Sequence, residues 1–361
     1  MEDKKTFSLN NLGFNDFFES NVKKLKLDDY SIARVLSEHR EAYKVRGVNG
    51  QFLAKITGKQ KHTAQSREDF PVVGDWVAIK ELDKERAVIQ EIIPRKTLLK
   101  RKSNNRDEIQ VIAANVDVAF VVESIDRDYS LNRIERYLVL AREGNIELAI
   151  VLNKIDLISK EELNIKVQEL KDRFEGINIV TTSTLTEQGL DDLKKNIVSG
   201  RTYCFIGSSG VGKSSLINRM LPEKIIKVDS LSDKTKRGKH TTTTRDLYVL
   251  DGGGIVIDNP GTREVGMTNS GVGIEDAYRE IAVFSKECAY KDCTHTHEPD
   301  CAVLQAIESG DLDEDKLNNY IKLKKESEHY NMTELGRRRK DKKFGKFIKQ
   351  HKKNFRKDDS E

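Results

Sequence analysis

Two stretches of this chain have the residue types and the spacing to do chemistry. The first, Gly207-Ser208-Ser209-Gly210-Val211-Gly212-Lys213-Ser214-Ser215, follows the pattern G-x-x-x-x-G-K-[ST]. Its three glycines free the backbone to curl N–H groups round an anion, and a helix starting at Lys213 adds positive potential at its N-terminus. In such a loop the lysine reaches β- and γ-phosphates and the following hydroxyl, here Ser214, ligates Mg²⁺. A plain strand-to-helix turn would need the glycines but neither Lys213 nor Ser214. The second stretch, Cys288-x4-Cys293-x-His295-x5-Cys301, offers three thiols and an imidazole within fourteen residues. That donor set satisfies one structural, four-coordinate Zn²⁺ and leaves no open position for catalysis. Residue types alone leave His297 as a rival fourth ligand.

Further residues are expected to complete a nucleotide site. Asn153-Lys154-Ile155-Asp156 follows a buried apolar run, and doubly wound sheets bind ligands beyond the carboxyl ends of such strands. An aspartate there accepts from the N1–H and 2-amino group of guanine, a donor pair that adenine lacks, while Lys154 lies along the nucleotide. With the phosphate loop, this favours GTP (and GDP) over ATP. Ser183 ends the next strand, where GTPases carry a Ser-Ala-Lys-like loop, although Thr184 and Leu185 replace the last two residues here. Ile255-Val256-Ile257-Asp258-Asn259-Pro260-Gly261 reads as a strand ending in D-x-x-G. Asp258 is expected to hold Mg²⁺ through water and the Gly261 N–H to meet the γ-phosphate. In the polar run between these motifs, Thr242 and Thr243 are the candidates to close the Mg²⁺ shell while γ-phosphate is present. Catalysis is assigned to Lys213, Gly261 and His240. Thr262 stands where many GTPases carry a water-orienting glutamine and is too short to replace it, so His240 is the candidate in cis, with packing or RNA contact as its alternative role.

The order of these motifs is informative, because 153–156 and Ser183 precede the phosphate loop instead of following it. A sheet can be permuted in this way if its old termini were close together. In motif order and content the chain resembles the ribosome small-subunit-dependent GTPase family (RsgA, also called YjeQ), over residues of about 30 to 310. The residues that carry the resemblance are N-K-I-D, G-S-S-G-V-G-K-S-S, the K-x-x-H-T-T-T loop, D-N-P-G and the cysteine–histidine motif. Thr262 and the altered loop after Ser183 depart from the family pattern. The resemblance implies His295 rather than His297 as the zinc ligand. It also implies GTP hydrolysis that is slow alone and stimulated by the small ribosomal subunit and its rRNA, in late assembly of that subunit. The alternative is a GTP-gated RNA-binding module with little turnover.

The elements that must position these residues follow from periodicity. Five short alternating runs at 31–36, 42–46, 51–56, 75–79 and 87–93 predict a small closed β-barrel of the OB type over 30–100. Trp76 is assigned to a core, and residues 1–29 to an N-terminal arm. The basic polar run 100–106 is read as a connector. Beyond it, strands at 116–123, 147–152, 177–183 and 203–206 alternate with helices at 131–142, 160–174, 190–198 and 213–220, which predicts a parallel sheet covered by helices over 107–270. Cys204, in the phosphate-loop strand, is a core residue. A zinc-binding helical domain follows over 271–335, and the fold class is multidomain α/β.

The chain has 361 residues, 37% hydrophobic and 34% charged, with a net charge of +4. Twelve Lys or Arg against one Asp lie within 337–357, so the basicity sits at one end, interleaved with Phe344, Phe347 and Phe355. Such a basic tail, 336–361, suits RNA, and equally a solvated surface segment. Four cysteines, three of them in the metal motif, fit a reducing compartment. No apolar run is long enough to span a membrane and no secretory signal is visible. The expectation is a cytoplasmic monomer with no membrane contact.

Overall fold

A computed structural model describes residues 7–39, 42–102, 109–126, 129–222, 226, 245–261, 266–267 and 270–331. His240, Thr242, Thr243, Thr262 and the basic segment 336–361 lie outside the described residues. The chain divides into two compact units, Met1–Gly266 and Met267–Glu361.

The first unit begins with strict alternation. Strands β1 (Ser31–His39), β2 (Ala42–Gly47), β3 (Gly50–Ile56), β4 (Trp76–Glu81) and β5 (Arg86–Ile92) turn Ala33 and Val35, Tyr43 and Val45, Phe52 and Ala54, Val77 and Ile79, and Ala87 and Ile89 into one core. A period of two puts every second side chain on the same face. β1 pairs antiparallel with both β2 and β4, and β3 runs parallel to β5, so the five strands close on themselves. This is the expected barrel. Trp76 and Ala78 point to the other face of β4. There Leu12, Phe18, Val22 and Leu27 cover them. The covering element is the helix Asp16–Lys24, started by the Asn15 side chain accepting from the N–H of Phe17, with Phe14 edge-on to Trp76 at 4.9 Å between ring centres.

The run read as a polar connector is in part a hairpin. β6 (Leu98–Lys102) and β7 (Ile109–Ala114) pair antiparallel. Their charged side chains find partners instead of water alone: Lys100 meets Glu68 at 3.0 Å, and Arg101 donates to Gln110 at 2.8 and 3.0 Å. Polar residues satisfied across a ladder or by a neighbouring segment carry no hydrophobic period, which is why the strand is hidden in the sequence.

The α/β part of the unit holds β8 (Val118–Ser124), β9 (Glu147–Asn153), β10 (Asn178–Thr182), β11 (Thr202–Ile206), β12 (Asp246–Val249) and β13 (Ile255–Asp258). Their spatial order is β10-β9-β8-β11-β13-β12, parallel except for β12. β8 and β11 are buried along their whole length, as strands covered on both faces must be. β8, β9 and β10 come first in the chain yet lie on the far side of β11, which is the permuted connectivity. β1 also pairs with β12 at Ser37 and Asp246, so barrel and α/β sheet form one continuous sheet of eleven strands.

Arg34, on β1, pins this junction. Its guanidinium is buried and donates to the carbonyl of Leu12, to Gly74 O and Asn115 O at 3.2 Å, and to Thr202 Oγ1 at 2.9 Å. Burial pushes its pKa down to about 10, against the pull of Asp117 and Asp75, so the charge persists at neutral pH. Asp75 is buried as well and is clamped by Arg95, which donates to both its oxygens at 2.8 Å.

In the second unit the helices are Gly271–Ala277, Arg279–Ser285, Ala302–Ser309 and Glu314–Asn331. Gly310, at φ +82°, ends the third of them in the left-handed conformation that glycine adopts most easily. Ile274, Tyr278, Ile281, Val303, Leu317 and Leu323 are among its buried apolar residues. Among the described residues no helix is long and apolar enough to cross a membrane.

Replacing Arg34 by Met takes this donor from four buried acceptors, of which Gly74 O alone keeps the Asn115 amide at 3.1 Å. The expected loss is about 3 kcal/mol of stability, read by urea unfolding followed through Trp76, the one tryptophan of the chain. A loss below about 1 kcal/mol would mean that the four segments hold together without it.

Candidate nucleotide site and metal cluster

β11 leads into the phosphate loop, and the helix Lys213–Met220 leaves it. Gly207 has φ +144°, and a Cβ there would collide with the carbonyl oxygen of Val122 on β8. Gly212, at φ +102°, leaves no room for a Cβ beside Asn153 Nδ2. The loop therefore lies against the ends of β8 and β9.

Asn153 is fully buried and does not point to solvent. Its Nδ2 donates to Val211 O at 2.8 Å and its Oδ1 accepts from Thr182 Oγ1 at 3.1 Å. It ties the end of β9 to the phosphate loop on one side and to β10 on the other. Thr182 was not singled out in the sequence. The only signal for it is that a buried carboxamide at a strand end must find partners.

Lys213 is buried, with Nζ donating to Gly207 O at 3.0 Å and Ser208 O at 2.7 Å. Burial lowers its pKa to about 8, although Asp258 and Glu123 favour the charged form. Ser214 Oγ donates to Asp258 Oδ2 at 2.9 Å. Burial raises the Asp258 carboxyl to about 6 in spite of Ser214 and Lys213. Among the described residues its Oδ1, like Ser208 Oγ, is buried with no hydrogen-bond partner. A carboxylate oxygen without a partner, beside a hydroxyl, suits a hydrated divalent cation. Gly261 runs against the loop so closely that a Cβ would lie 2.8 Å from Lys213 Nζ. Val211 is buried, and Ser209 and Ser215 are half-buried.

On the other side of Asn153, Lys154 takes a left-handed backbone, φ +64°, and its ammonium meets Asp126 Oδ2 at 2.7 Å. Ile155 is buried and Asp156 exposed. The Ser183 hydroxyl donates to Asp156 Oδ1 and accepts the N–H groups of Leu185 and Thr186 at 3.2 and 3.1 Å. The turn thus forms in spite of Thr184 and Leu185, because its bonds come from the serine hydroxyl and from the backbone, as in Ser183 N–H to Gln188 O at 2.9 Å. One Asp156 oxygen is held in place.

In the second unit Cys288, Cys293, His295 and Cys301 bring their ligand atoms within 4.8 Å of one another. Cys288 and Cys301 sulfurs are 3.8 Å apart, Cys293 and Cys301 3.6 Å, and His295 Nδ1 lies 3.6 and 3.4 Å from Cys288 and Cys301. A tetrahedron with bonds of about 2.3 Å to sulfur and about 2.0 Å to nitrogen has edges of roughly 3.5–3.8 Å, so these residues fit zinc. His297 is exposed and bonded to Thr296 Oγ1. Ser285 Oγ donates its one hydrogen to Ile281 O at 2.7 Å and so must accept from His295 Nε2 at 3.1 Å. That places the proton on Nε2 and the lone pair of Nδ1 toward the sulfurs. The Glu298 carboxylate accepts the Thr294 hydroxyl and the N–H groups of Thr294, Thr296 and His297, which holds its pKa far below the usual carboxylate range and fixes the loop.

The family model described as RsgA GTPase matches residues 92–268. A protein named small ribosomal subunit biogenesis GTPase RsgA 2, from Lactiplantibacillus plantarum, is 39% identical, with 82% of this chain and 83% of that protein aligned. Small ribosomal subunit biogenesis GTPase RsgA 1 from Bacteroides thetaiotaomicron is 34% identical over 90% of this chain and 91% of its own length. Among solved structures, YjeQ from Thermotoga maritima matches with a TM-score of 0.60 at 30% identity, covering 81% of this chain and 96% of that one. YloQ, described as a circularly permuted GTPase, shares the fold with a TM-score of 0.59 at 24% identity, over 84% and 97% of the two chains.

Metal analysis of the purified chain should find about one zinc. Cys293→Ala should lower it, and Ser285→Ala, which frees the His295 ring, should weaken zinc roughly tenfold against a competing chelator. A folded, metal-free chain would refute the cluster as a zinc site.

Proposed function

This chain belongs to the RsgA GTPase family, and on that premise we propose that it binds GTP across the 153–156 and 207–215 segments. It hydrolyses GTP to GDP and phosphate on the small ribosomal subunit, late in that subunit's assembly, as a cytoplasmic monomer. One observation carries the reading. Asn153 bonds the end of β9 directly to the phosphate loop at Val211, which supports one ligand lying across both.

In this reading the loop N–H groups from Ser208 to Ser215 hold the phosphates, and Lys213 turns its ammonium from the carbonyls of Gly207 and Ser208 to the β- and γ-oxygens. Asp156, oriented by Ser183, accepts from the guanine N1–H and 2-amino group. Ser214 and Asp258 would hold Mg²⁺, which when bound neutralises charge between the β- and γ-phosphates. The Gly261 N–H faces the γ-phosphate. The zinc ligands Cys288, Cys293, His295 and Cys301 have a structural role. The basic tail, with its phenylalanines, contacts rRNA.

Thr262 in place of a glutamine leaves the attacking water without a partner from that backbone position. It is also the observation that favours the second reading, a GTP-gated RNA-binding module with little turnover. We assign the water to His240, assisted by Thr242 or Thr243 at Mg²⁺, when the small subunit is bound.

Turnover measured alone, with small subunits and with large subunits separates the two readings. Alone it should be slow, about 10⁻⁴–10⁻² s⁻¹. Small subunits should stimulate it strongly, and His240→Ala should lose most of that stimulation while still binding GTP. No stimulation by small subunits would leave the binding-module reading standing.

Base selection is tested separately. Asp156→Asn presents a donor where guanine also donates, and should shift preference from GTP toward XTP. Unchanged GTP affinity in that variant would refute the guanine assignment.

A further inference from the structure

The ammonium of Lys154 lies 2.7 Å from Asp126 Oδ2, and Asp126 is itself held in position. Its Oδ1 accepts from the Ser124 hydroxyl at 2.8 Å. Ser124 is buried and sits opposite Asn153 in the β8–β9 ladder. The next residue, Ile125, donates its N–H to Asn153 O at 3.1 Å. The loop that bears Asp126 is therefore fastened to the strand end that bears Lys154. On the lysine side, the left-handed backbone at φ +64° sets the direction in which the side chain leaves β9. Lys154 and Asp126 side chains are 23% and 33% exposed. A half-buried pair is partly screened and contributes modestly to folding, and the chain of contacts behind it also fixes where the Lys154 side chain lies.

Lysine has a long side chain, and ordering it at the moment of binding subtracts from affinity. A carboxylate that orders it beforehand removes that penalty. We propose, resting on the reading of 153–156 as the guanine site, that Asp126 is a positioning residue for nucleotide binding. Through Ser124 and Asp126, the end of β8 holds the Lys154 stem as a preformed wall beside the base read by Asp156. Asp126 acts on the nucleotide only through Lys154.

Release of a fluorescent GDP analogue from the full chain, chased with unlabelled GDP, tests this. Asp126→Asn should speed release about fivefold. Lys154→Met should speed it by a similar factor, and the double variant should release no faster than Lys154→Met alone. Ser124→Ala, which removes the hydroxyl that orients Asp126, should move release in the same direction by a smaller factor. Unchanged or slower release from Asp126→Asn overturns the assignment, as do additive effects in the double variant, and both leave the guanine site in place. A parent chain that fails to bind the GDP analogue overturns the guanine reading and this assignment together.

Discussion

A guanidinium without solvent is costly to bury, and Arg34 is tolerated only because four separate segments supply it with acceptors. Those segments are the N-terminal turn at Leu12, the barrel loop at Gly74, the link after β7 at Asn115, and Thr202 at the start of the phosphate-loop strand. Each contact by itself is an ordinary hydrogen bond. Together they impose a single arrangement, since any slip of one segment leaves a buried charge short of a partner. Asp117 reinforces the same point: its carboxylate accepts the Thr202 N–H at 2.8 Å, and its own N–H donates to Thr202 O at 2.8 Å. The starts of β8 and β11 are locked side by side, next to the barrel.

That lock matters because the phosphate loop tolerates little displacement. Gly207 has no space for a side chain against Val122, and Gly212 none against Asn153. The loop's shape is thus set by the carboxyl ends of β8 and β9, whose amino ends are set by Asp117 and its neighbours. Permutation has moved these two strands ahead of β11 in the chain without changing what they touch. Contacts across a parallel sheet depend on spatial neighbours and not on chain order, so the same site survives the new connectivity.

The features legible in the sequence are those whose chemistry is local. The phosphate loop, the 153–156 run and the cysteine–histidine cluster each declare themselves within a few residues, and the barrel strands declare themselves by a period of two. Arg34 was invisible because its partners are mostly backbone carbonyls, and its contacts span from 22 to 168 residues of chain. The β6–β7 hairpin was hidden by Lys100 and Arg101, the first satisfied by Glu68 from another segment and the second across the ladder by Gln110. The joining of β1 to β12 rests on a single registered pair, too little to leave a pattern in either segment. Residues 1–29 read as an arm because their apolar side chains are spaced irregularly; in the structure Leu12, Phe18 and Val22 are buried over Trp76.

The electrostatics of the site bear on why a nucleotide and a divalent cation would bind there together. Lys213 and Asp258 are both buried, and burial moves them in opposite directions: the ammonium falls to about 8 and the carboxyl rises to about 6. Each favours the other's charged form, but neither is fully compensated. An anion alone would relieve Lys213 while repelling Asp258, and a cation alone would do the reverse. A phosphate chain carrying its own divalent cation would relieve both at once, and the Oδ1 of Asp258, without a hydrogen-bond partner among the described residues, would give the cation's hydration shell an acceptor. The coupling is reciprocal by linkage, so the ion should strengthen nucleotide binding by the same factor as the nucleotide strengthens binding of the ion. In the proposed nucleotide reading, selectivity for polyphosphate over a simple anion would therefore draw on the acid at the end of β13 as well as on the lysine at the start of the helix.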